Sequence, residues 1–376
     1  MNYRTFNAAD MEVSLLGFGA MRLPALNDGT DSVDEAEAIR MIRYAIDNGV
    51  NYIDTAHVYH NKQSEVVVGK ALADGYREKV LLATKMSFWA MKGPEEMAPT
   101  FDKQLEQLGV DCIDMYLLHG LDGERWETVL DWKMLDFIDS LRAAGKIRFA
   151  GFSFHGDTPE EFKHVIDGYH WDFCQLQINY MDKDIQAGLE GYEYAVSKGV
   201  PIVVMEPLKG GNLTDVVPPS IQKYWDESGS ERTPAEWAFR WVAALPGVLT
   251  ILSGMSTMAQ VEENVRILSS ADLGSLSEEE YGLIDKVAAE YNKMIAYPCT
   301  TCKYCMPCTE GISIPQIMDF RNSYNLYGKT AKMEREYSMF VSVKASACSA
   351  CGKCEEKCPQ HLEIMRAMRE TAELFG

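Results

Sequence analysis

From Ser14 onward, short β-rich apolar runs alternate with amphipathic stretches long enough to be helices, and this alternation limits the possible folds more than any other feature. The runs SLLGFGA, NYIDT, VLLATKM, IDMYLLH, RFAGFSFH, FCQLQIN, PIVVMEP and TILSGM predict eight parallel strands. Between them, Ser32 with Glu35, Thr158 with Glu161 and Thr233 with Glu236 read as capping boxes, which satisfy the free amides of a first helical turn. Gly49, Gly145 and Gly199 stand where helices close in the left-handed conformation. Eight such units predict an α/β fold, a closed (β/α)8 TIM barrel. An open doubly wound sheet shares the alternation, but no G-x-G-x-x-G fingerprint follows the first run, and the unit count favours the barrel.

A barrel of this kind places its chemistry at the C-terminal ends of its strands, so the residues that close each run are the ones to weigh. The second run ends in Asp54 with Tyr59 a few residues on, the third in Lys85 and the fourth in His119. Any one alone is more simply a capping, loop or solvated residue. Together they bring a carboxylate, a phenol, an amine and an imidazole to one mouth.

In the segments DTAHVY, ATK and YLLH these four make the chain resemble the aldo-keto reductase superfamily over its first three quarters. The motifs GFGAMRLP, GFSFH, QLQINY, MEPLKGG, LSGMS and VEENV add to the likeness. The resemblance implies NAD(P)H-dependent reduction of an aldehyde or ketone to an alcohol, or the reverse. In it Tyr59 donates the proton, Lys85 lowers the tyrosine pKa, Asp54 holds Lys85, and His119 bonds the carbonyl oxygen. Physical chemistry agrees: a cation favours phenolate, and donors on the oxygen stabilise charge as hydride arrives.

The resemblance also implies cofactor contacts. These are Gly19, Ala20 and Met21 at the first strand, Ser153 and Gln175 at the nicotinamide carboxamide, and Met205 in place of the usual stacking aromatic, followed by Pro207 and Leu208. At the eighth strand Gly254, Met255 and Ser256 match the adenosine phosphate loop, and Gln260, Glu263 and Asn264 follow on the next helix. Phe154 stands where many members have Asn, with His155 beside it as a substitute or a pocket residue. Gln260 and Gly254 occupy positions that are basic in NADPH-preferring members, so NADH is expected to serve at least as well. Phe88, Trp89, Trp126 and Trp132 either wall a substrate pocket or pack loops onto the barrel.

Only two of the ten cysteines, Cys112 and Cys174, fall in the first two thirds of the chain. The run CTTCKYCMPC spaces Cys299, Cys302, Cys305 and Cys308 by two residues each. A second run, CSACGKCEEKCP, carries Cys348, Cys351, Cys354 and Cys358 with Pro359, the spacing of bacterial ferredoxins. In that pattern the fourth cysteine ligates the other cluster. Cys299, Cys302, Cys305 and Cys358 are therefore expected on one 4Fe-4S cluster, and Cys348, Cys351, Cys354 and Cys308 on a second. The first run departs from the pattern in its last spacing and in Thr309, and zinc is the competing reading. Residues 1–292 are thus expected to form the barrel and 293–376 a small, mainly helical ferredoxin-type iron-sulfur domain.

Clusters move single electrons and the tetrad moves hydride, and no flavin motif connects them. The tail is therefore either structural or a separate electron route to a redox partner protein. An electron-transfer protein with the barrel as a docking scaffold is the alternative, but retention of all four costly polar residues favours an enzyme. A net charge of -20 argues against nucleic acid and anionic membrane surfaces as partners. The absence of a signal peptide or spanning segment predicts a cytoplasmic protein.

Overall fold

The computed structural model describes residues 1–8, 10–26, 32–215, 217–299, 305–358 and 360–376. By compactness the chain forms two units, Met1–Gly211 with Arg232–Ser277, and Asn212–Glu231 with Glu278–Gly376. The second unit thus begins ahead of the expected boundary at residue 293, taking in the helix Glu278–Lys293 and a segment inserted before the last barrel strand.

A hairpin of β1 (Tyr3–Phe6) and β2 (Met11–Ser14) opens the first unit. The barrel follows as β3 (Leu16–Gly19), β4 (Tyr52–Asp54), β5 (Leu81–Met86), β6 (Ile113–Leu121), β7 (Ile147–Phe154), β8 (Phe173–Gln177), β9 (Ile202–Met205) and β10 (Val248–Gly254). All are parallel to their neighbours, and β10 pairs with β3 to close the ring. Each of the eight expected runs supplies one strand. The helices of this unit are α1 (Glu35–Asp47), α2 (Ser64–Ala71), α3 (Met97–Leu108), α4 (Gly123–Asp131), α5 (Met134–Ala143), α6 (Pro159–Asp167), α7 (Gly188–Ser197), then, after α8 (Pro219–Glu227) of the second unit, α9 (Pro234–Ala243) and α10 (Met258–Leu268).

Local chemistry explains these boundaries, with some corrections to the expected caps. Thr158 and Thr233 accept from the Glu161 and Glu236 amides as expected, but the glutamates do not reciprocate: Glu161 accepts from Asp157 and Glu236 pairs with Arg240. At α1 the cap is Asp34, which accepts from the Glu37 amide at 3.1 Å, and not Ser32. The sequence S-V-D-E-A-E fits both registers, and a carboxylate is the stronger acceptor. A complete capping box occurs instead at Thr257 and Gln260.

The hairpin was not expected from the sequence, because strands of four residues carry too little periodicity to read. Its Phe6 and Val13 join the buried layer formed inside the barrel by Tyr52, Ala83, Leu117 and Phe173, and Phe6 meets Phe149 edge-on at 4.8 Å. The hairpin thus closes the N-terminal end, and each such buried side chain contributes roughly 1.5–3 kcal/mol. Gly151 is required in this layer, because a Cβ there would lie 2.5 Å from the Phe173 ring.

The second unit contains α8 with α11 (Glu278–Lys293), α12 (Ile314–Tyr327), α13 (Ala331–Phe340), α14 (Lys353–Lys357) and α15 (Ile364–Phe375). Its core joins Ile314, Ile317 and Met318 of α12 to Tyr337 of α13 and to Ala367 and Met368 of α15. Arg321 clamps α12 to α15 through Glu370 at 2.8 Å. Among the described residues no helix is long and apolar enough to cross a membrane.

Candidate active site

Side chains alternate along a strand, so a residue two past an interior position faces the same side, one step nearer the C-terminal mouth. Tyr52, Ala83, Leu117, Phe173 and Val203 belong to the apolar interior layer. Two residues on from each stand Asp54, Lys85, His119, Gln175 and Met205. Ser153 bears the same relation to Gly151, which touches that layer through Phe173. The barrel therefore converts a greasy plug into a polar floor within a single pleat repeat.

The floor is built around Lys85, which is fully buried. Its ammonium donates to both oxygens of Asp54, at 2.6 and 2.7 Å, and to the Thr55 carbonyl at 2.8 Å. It also lies 5.0 Å from the centroid of the Tyr59 ring, and that ring meets the His119 ring edge-on at 5.9 Å. The four expected residues thus come together. Tyr59 is positioned by an unusual turn in which His60, Asn61 and Lys62 all have positive φ, with His60 Nε2 accepting from the Leu23 amide at 3.1 Å. Left-handed non-glycine residues cost on the order of 1 kcal/mol each, which the surroundings must offset.

Burial would strip the Lys85 ammonium of its proton, but Asp54 and Tyr59 outweigh it and hold its pKa above the ordinary value. Tyr59 is pushed up by burial, with Lys85 pulling against that rise. Lys85 does act to lower the tyrosine, as expected, but burial is the larger effect and the net shift is upward. His119 is driven well below the usual histidine range by burial and by the Lys85 charge, so it is neutral near pH 7.

Several residues of the site were missed in the sequence. Ser87, two past Lys85 on the same face, sets its hydroxyl 2.5 Å from His119 Nδ1. The period-two rule that places Lys85 would have found it. Behind the strand, buried Glu65 accepts from Thr84 at 2.6 Å and Gln104 at 2.8 Å, and Gln104 also donates to the Lys85 carbonyl at 3.0 Å. Arg22 follows Gly19, Ala20 and Met21, the last of which is 52% exposed. A Cβ on Gly254 would meet Arg22 carbons at 3.1 Å, and the guanidinium pairs with Glu206 at 3.4 Å. A cation therefore spans the ends of β10 and β9, where only Gly254 and Gln260 had been considered.

The other expected cofactor residues are placed as follows. Ser153 accepts from the Gly120 amide at 2.8 Å, and Gln175 donates to the Met205 sulfur at 3.3 Å while its buried Oε1 has no hydrogen-bond partner among the described residues. That orphaned acceptor, beside a buried serine at the mouth, fits the amide of a nicotinamide. Pro207 is buried and Leu208 half-buried in the turn after β9. Ser256 donates to the Arg22 carbonyl at 2.8 Å, Met255 is buried, and Asn264 donates to Ser253 at 3.0 Å. Gln260 turns its carbonyl back onto the amides of Ser256 and Thr257, and Glu263 accepts from Thr233 at 2.9 Å.

The aromatic residues divide. Trp126 is buried against Trp171 and His164 and packs α4 onto the barrel, and Phe88 packs against Trp132. Only Trp89, 47% exposed, reaches the site, 5.8 Å from the His119 ring centroid. Phe154 is buried against Phe162, whereas His155 is exposed.

In the second unit Cys358 belongs to the apolar core, and Cys299, Cys305, Cys308, Cys348 and Cys354 pack against it. No disulfide joins the described cysteines; Cys302 and Pro359 lie outside the described residues. Among those residues no three Cys, His, Asp or Glu side chains are grouped to hold a single metal ion. Thr309, next to Cys308, lies 3.7 Å from the Cys351 sulfur, which brings the two runs together. The Lys353 backbone amide and this hydroxyl lower the Cys351 thiol pKa, an environment suited to a thiolate ligand.

The family model described as Aldo/keto reductase family matches residues 15–289, and that of a 4Fe-4S dicluster domain matches residues 298–363. The chain is 25% identical over 303 residues to L-galactose dehydrogenase of Arabidopsis thaliana, across 76% of this chain and 93% of that protein. It is likewise 25% identical over 307 residues to the NADH-specific methylglyoxal reductase of Escherichia coli (strain K12), across 69% and 91%. Among solved structures, aldo-keto reductase AKR11C1 from Bacillus halodurans in its holo form superposes with a TM-score of 0.63 at 28% identity, covering 76% of this chain and 96% of that one. An aldo-keto reductase from Klebsiella pneumoniae in complex with NADPH gives 0.61 at 25% identity, covering 77% and 96%.

Proposed function

The chain belongs to the aldo/keto reductase family, and from that premise we propose that its barrel reduces an aldehyde or ketone with NAD(P)H, with Tyr59 as the general acid. The observation that carries this reading is the fully buried Lys85, locked to Asp54 and set beside Tyr59. A bound nicotinamide would supply the hydride. Tyr59 supplies the proton: as negative charge grows on the carbonyl oxygen, the O–H bond breaks toward it, and Lys85 stabilises the phenolate left behind. The raised tyrosine pKa keeps that proton in place until the oxygen needs it.

His119 orients the carbonyl. If the Ser87 hydroxyl donates to Nδ1, the neutral ring carries its proton on Nε2, where it can donate to the substrate oxygen. Ser153 and Gln175 would hold the nicotinamide amide beside Met205. Arg22 would meet the diphosphate, since it is drawn toward Glu206 and not toward Gln260. Gln260 is turned onto the amides of Ser256 and Thr257 and Glu263 onto Thr233, so neither position supplies a cation to a 2'-phosphate, and NADH is expected to serve at least as well as NADPH. In the second unit the two sets of four thiols would hold two 4Fe-4S clusters, Cys308 with the second run and Cys358 with the first, as the meeting of Thr309 and Cys351 favours.

The test is Tyr59→Phe. The variant is expected to bind NADH as the parent does, read by fluorescence titration, and to lose carbonyl reduction by about 10²–10⁴-fold. Unchanged turnover would remove Tyr59 from the reaction.

A further inference from the structure

The residue after His119 is Gly120, whose φ of 66° is left-handed and whose missing side chain leaves room above it. A Cβ placed there would lie 3.3 Å from Arg125 Nη1, 3.7 Å from His155 Cδ2 and 3.9 Å from Trp89 Nε1. A guanidinium nitrogen from the start of α4, an indole nitrogen from the turn after β5 and the edge of an imidazole ring from the end of β7 therefore converge on one point at the mouth. The guanidinium and the indole also face each other, at 5.8 Å. None of these side chains belongs to the tetrad, and a purely apolar pocket would have no use for them.

The cation at the centre is only partly satisfied. Arg125 Nη1 donates to the Gly120 carbonyl at 2.6 Å and lies 3.6 Å from the Asp122 carboxylate. Asp122 is itself committed to capping α4, accepting from the Arg125 amide at 2.7 Å. The hydrogen bonds of the Arg125 guanidinium among the described residues run through Nη1, and the Trp89 side chain is 47% exposed, so the remaining guanidinium nitrogens and the indole N–H are open to a ligand. Of the other nearby acids, Glu206 pairs with Arg22 while its charge also reaches His155, and Glu161 accepts from the Asp157 amide. The charge of Arg125 is felt at both His119 and His155, so it lies within reach of a substrate held at the tetrad.

Resting on the reductase reading above, we propose that Arg125, Trp89 and His155 form a subsite for an anionic group, so that the natural substrate is a short carbonyl compound carrying a carboxylate or a phosphate. A guanidinium with free donors in a half-buried site binds either group, and the indole N–H and imidazole add donors from the flanks. Arg125 is then a specificity residue: it selects the substrate, and the tetrad reduces it.

The experiment measures kcat/KM of the full-length holoenzyme with NADH for three aldehydes of matched length, one neutral, one ending in a carboxylate and one in a phosphate. The parent is expected to favour one or both charged substrates over the neutral one by at least 10-fold, and the two charged arms show which anion the site takes. Arg125→Gln is expected to collapse that preference by about 10–100-fold, mostly through KM, and Trp89→Phe, which keeps the ring and removes the N–H, by a few-fold. No preference in the parent, or an equal loss of all three substrates in Arg125→Gln, overturns the proposal. Succinate binding to the cofactor-loaded protein, followed by tryptophan fluorescence, separates the two readings. Arg125-dependent binding without turnover of any aldehyde keeps the subsite and sinks the reductase reading; turnover of the neutral aldehyde without Arg125-dependent binding does the reverse.

Discussion

In the barrel, Lys85 bonds both oxygens of Asp54 and a backbone carbonyl within 2.8 Å, so its polar groups are held by one another. In the second unit the cysteines are held differently, Cys358 within an apolar core of α12, α13 and α15, five others half-buried against it and Cys351 exposed, in turns such as the one where Ala350 and Gly352 take positive φ. The difference reflects the chemistry each must do. A proton donor needs its pKa set in advance by fixed neighbours, and parallel strands repeat with a regularity that fixes them. Thiolate ligands need only the right spacing and access, because the bonds to iron supply the final order.

Changes at the barrel mouth should therefore cost the most. Lys85→Met leaves the Asp54 carboxylate buried without its cation, and is expected to lower stability by about 3–5 kcal/mol and turnover by about 1,000-fold. Adding Asp54→Leu should restore much of the stability, read by denaturant unfolding, and none of the activity; recovery of activity would mean that the pair is only a strut. Ser87→Ala frees the His119 tautomer, and kcat is expected to fall by about 10-fold, the worth of one hydrogen bond in a closed site.

The pH profile comes next. His119 is neutral through the histidine range, so kcat/KM for reduction should show no inflection near pH 6.5. With Tyr59 as the proposed acid, reduction requires its protonated form, whose pKa is raised, so activity should persist to pH 10 and fall only above it. Alcohol oxidation needs the phenolate and should rise with pH over the same range. A reduction rate that falls between pH 6 and 7 would contradict the assigned charge states. The smallest expected effect on turnover belongs to Cys354→Ser. It should remove up to one cluster's iron, read by metal analysis of anaerobically purified protein, and change carbonyl reduction by no more than about twofold, because none of the tetrad's contacts involves a cysteine.

Much of this was legible in the sequence because strand periodicity is simple: once Leu117 is interior, His119 must point to the mouth. The same rule, carried one step further, reaches Ser87 from Lys85 and His155 from Ser153. Arg22 and Arg125 escaped because they sit on short turns and a helix start, where no period applies and the chain path decides what they touch. Trp126 could not be decided for the opposite reason, since a large indole beside an active-site loop packs a helix as readily as it lines a pocket. The N-terminal hairpin was hidden by its length, and the α1 cap by two overlapping registers of one motif.

We propose that this barrel delivers hydride as a unit, whatever the thiol-rich unit carries. The direct measurement is reduction of an aldehyde by the full chain with NADH deuterated on each face of C4 in turn, followed by mass analysis of the alcohol. One deuterium in the product from one face and none from the other is expected. Loss of label to water from both faces would mean that electrons travel singly, and would contradict it.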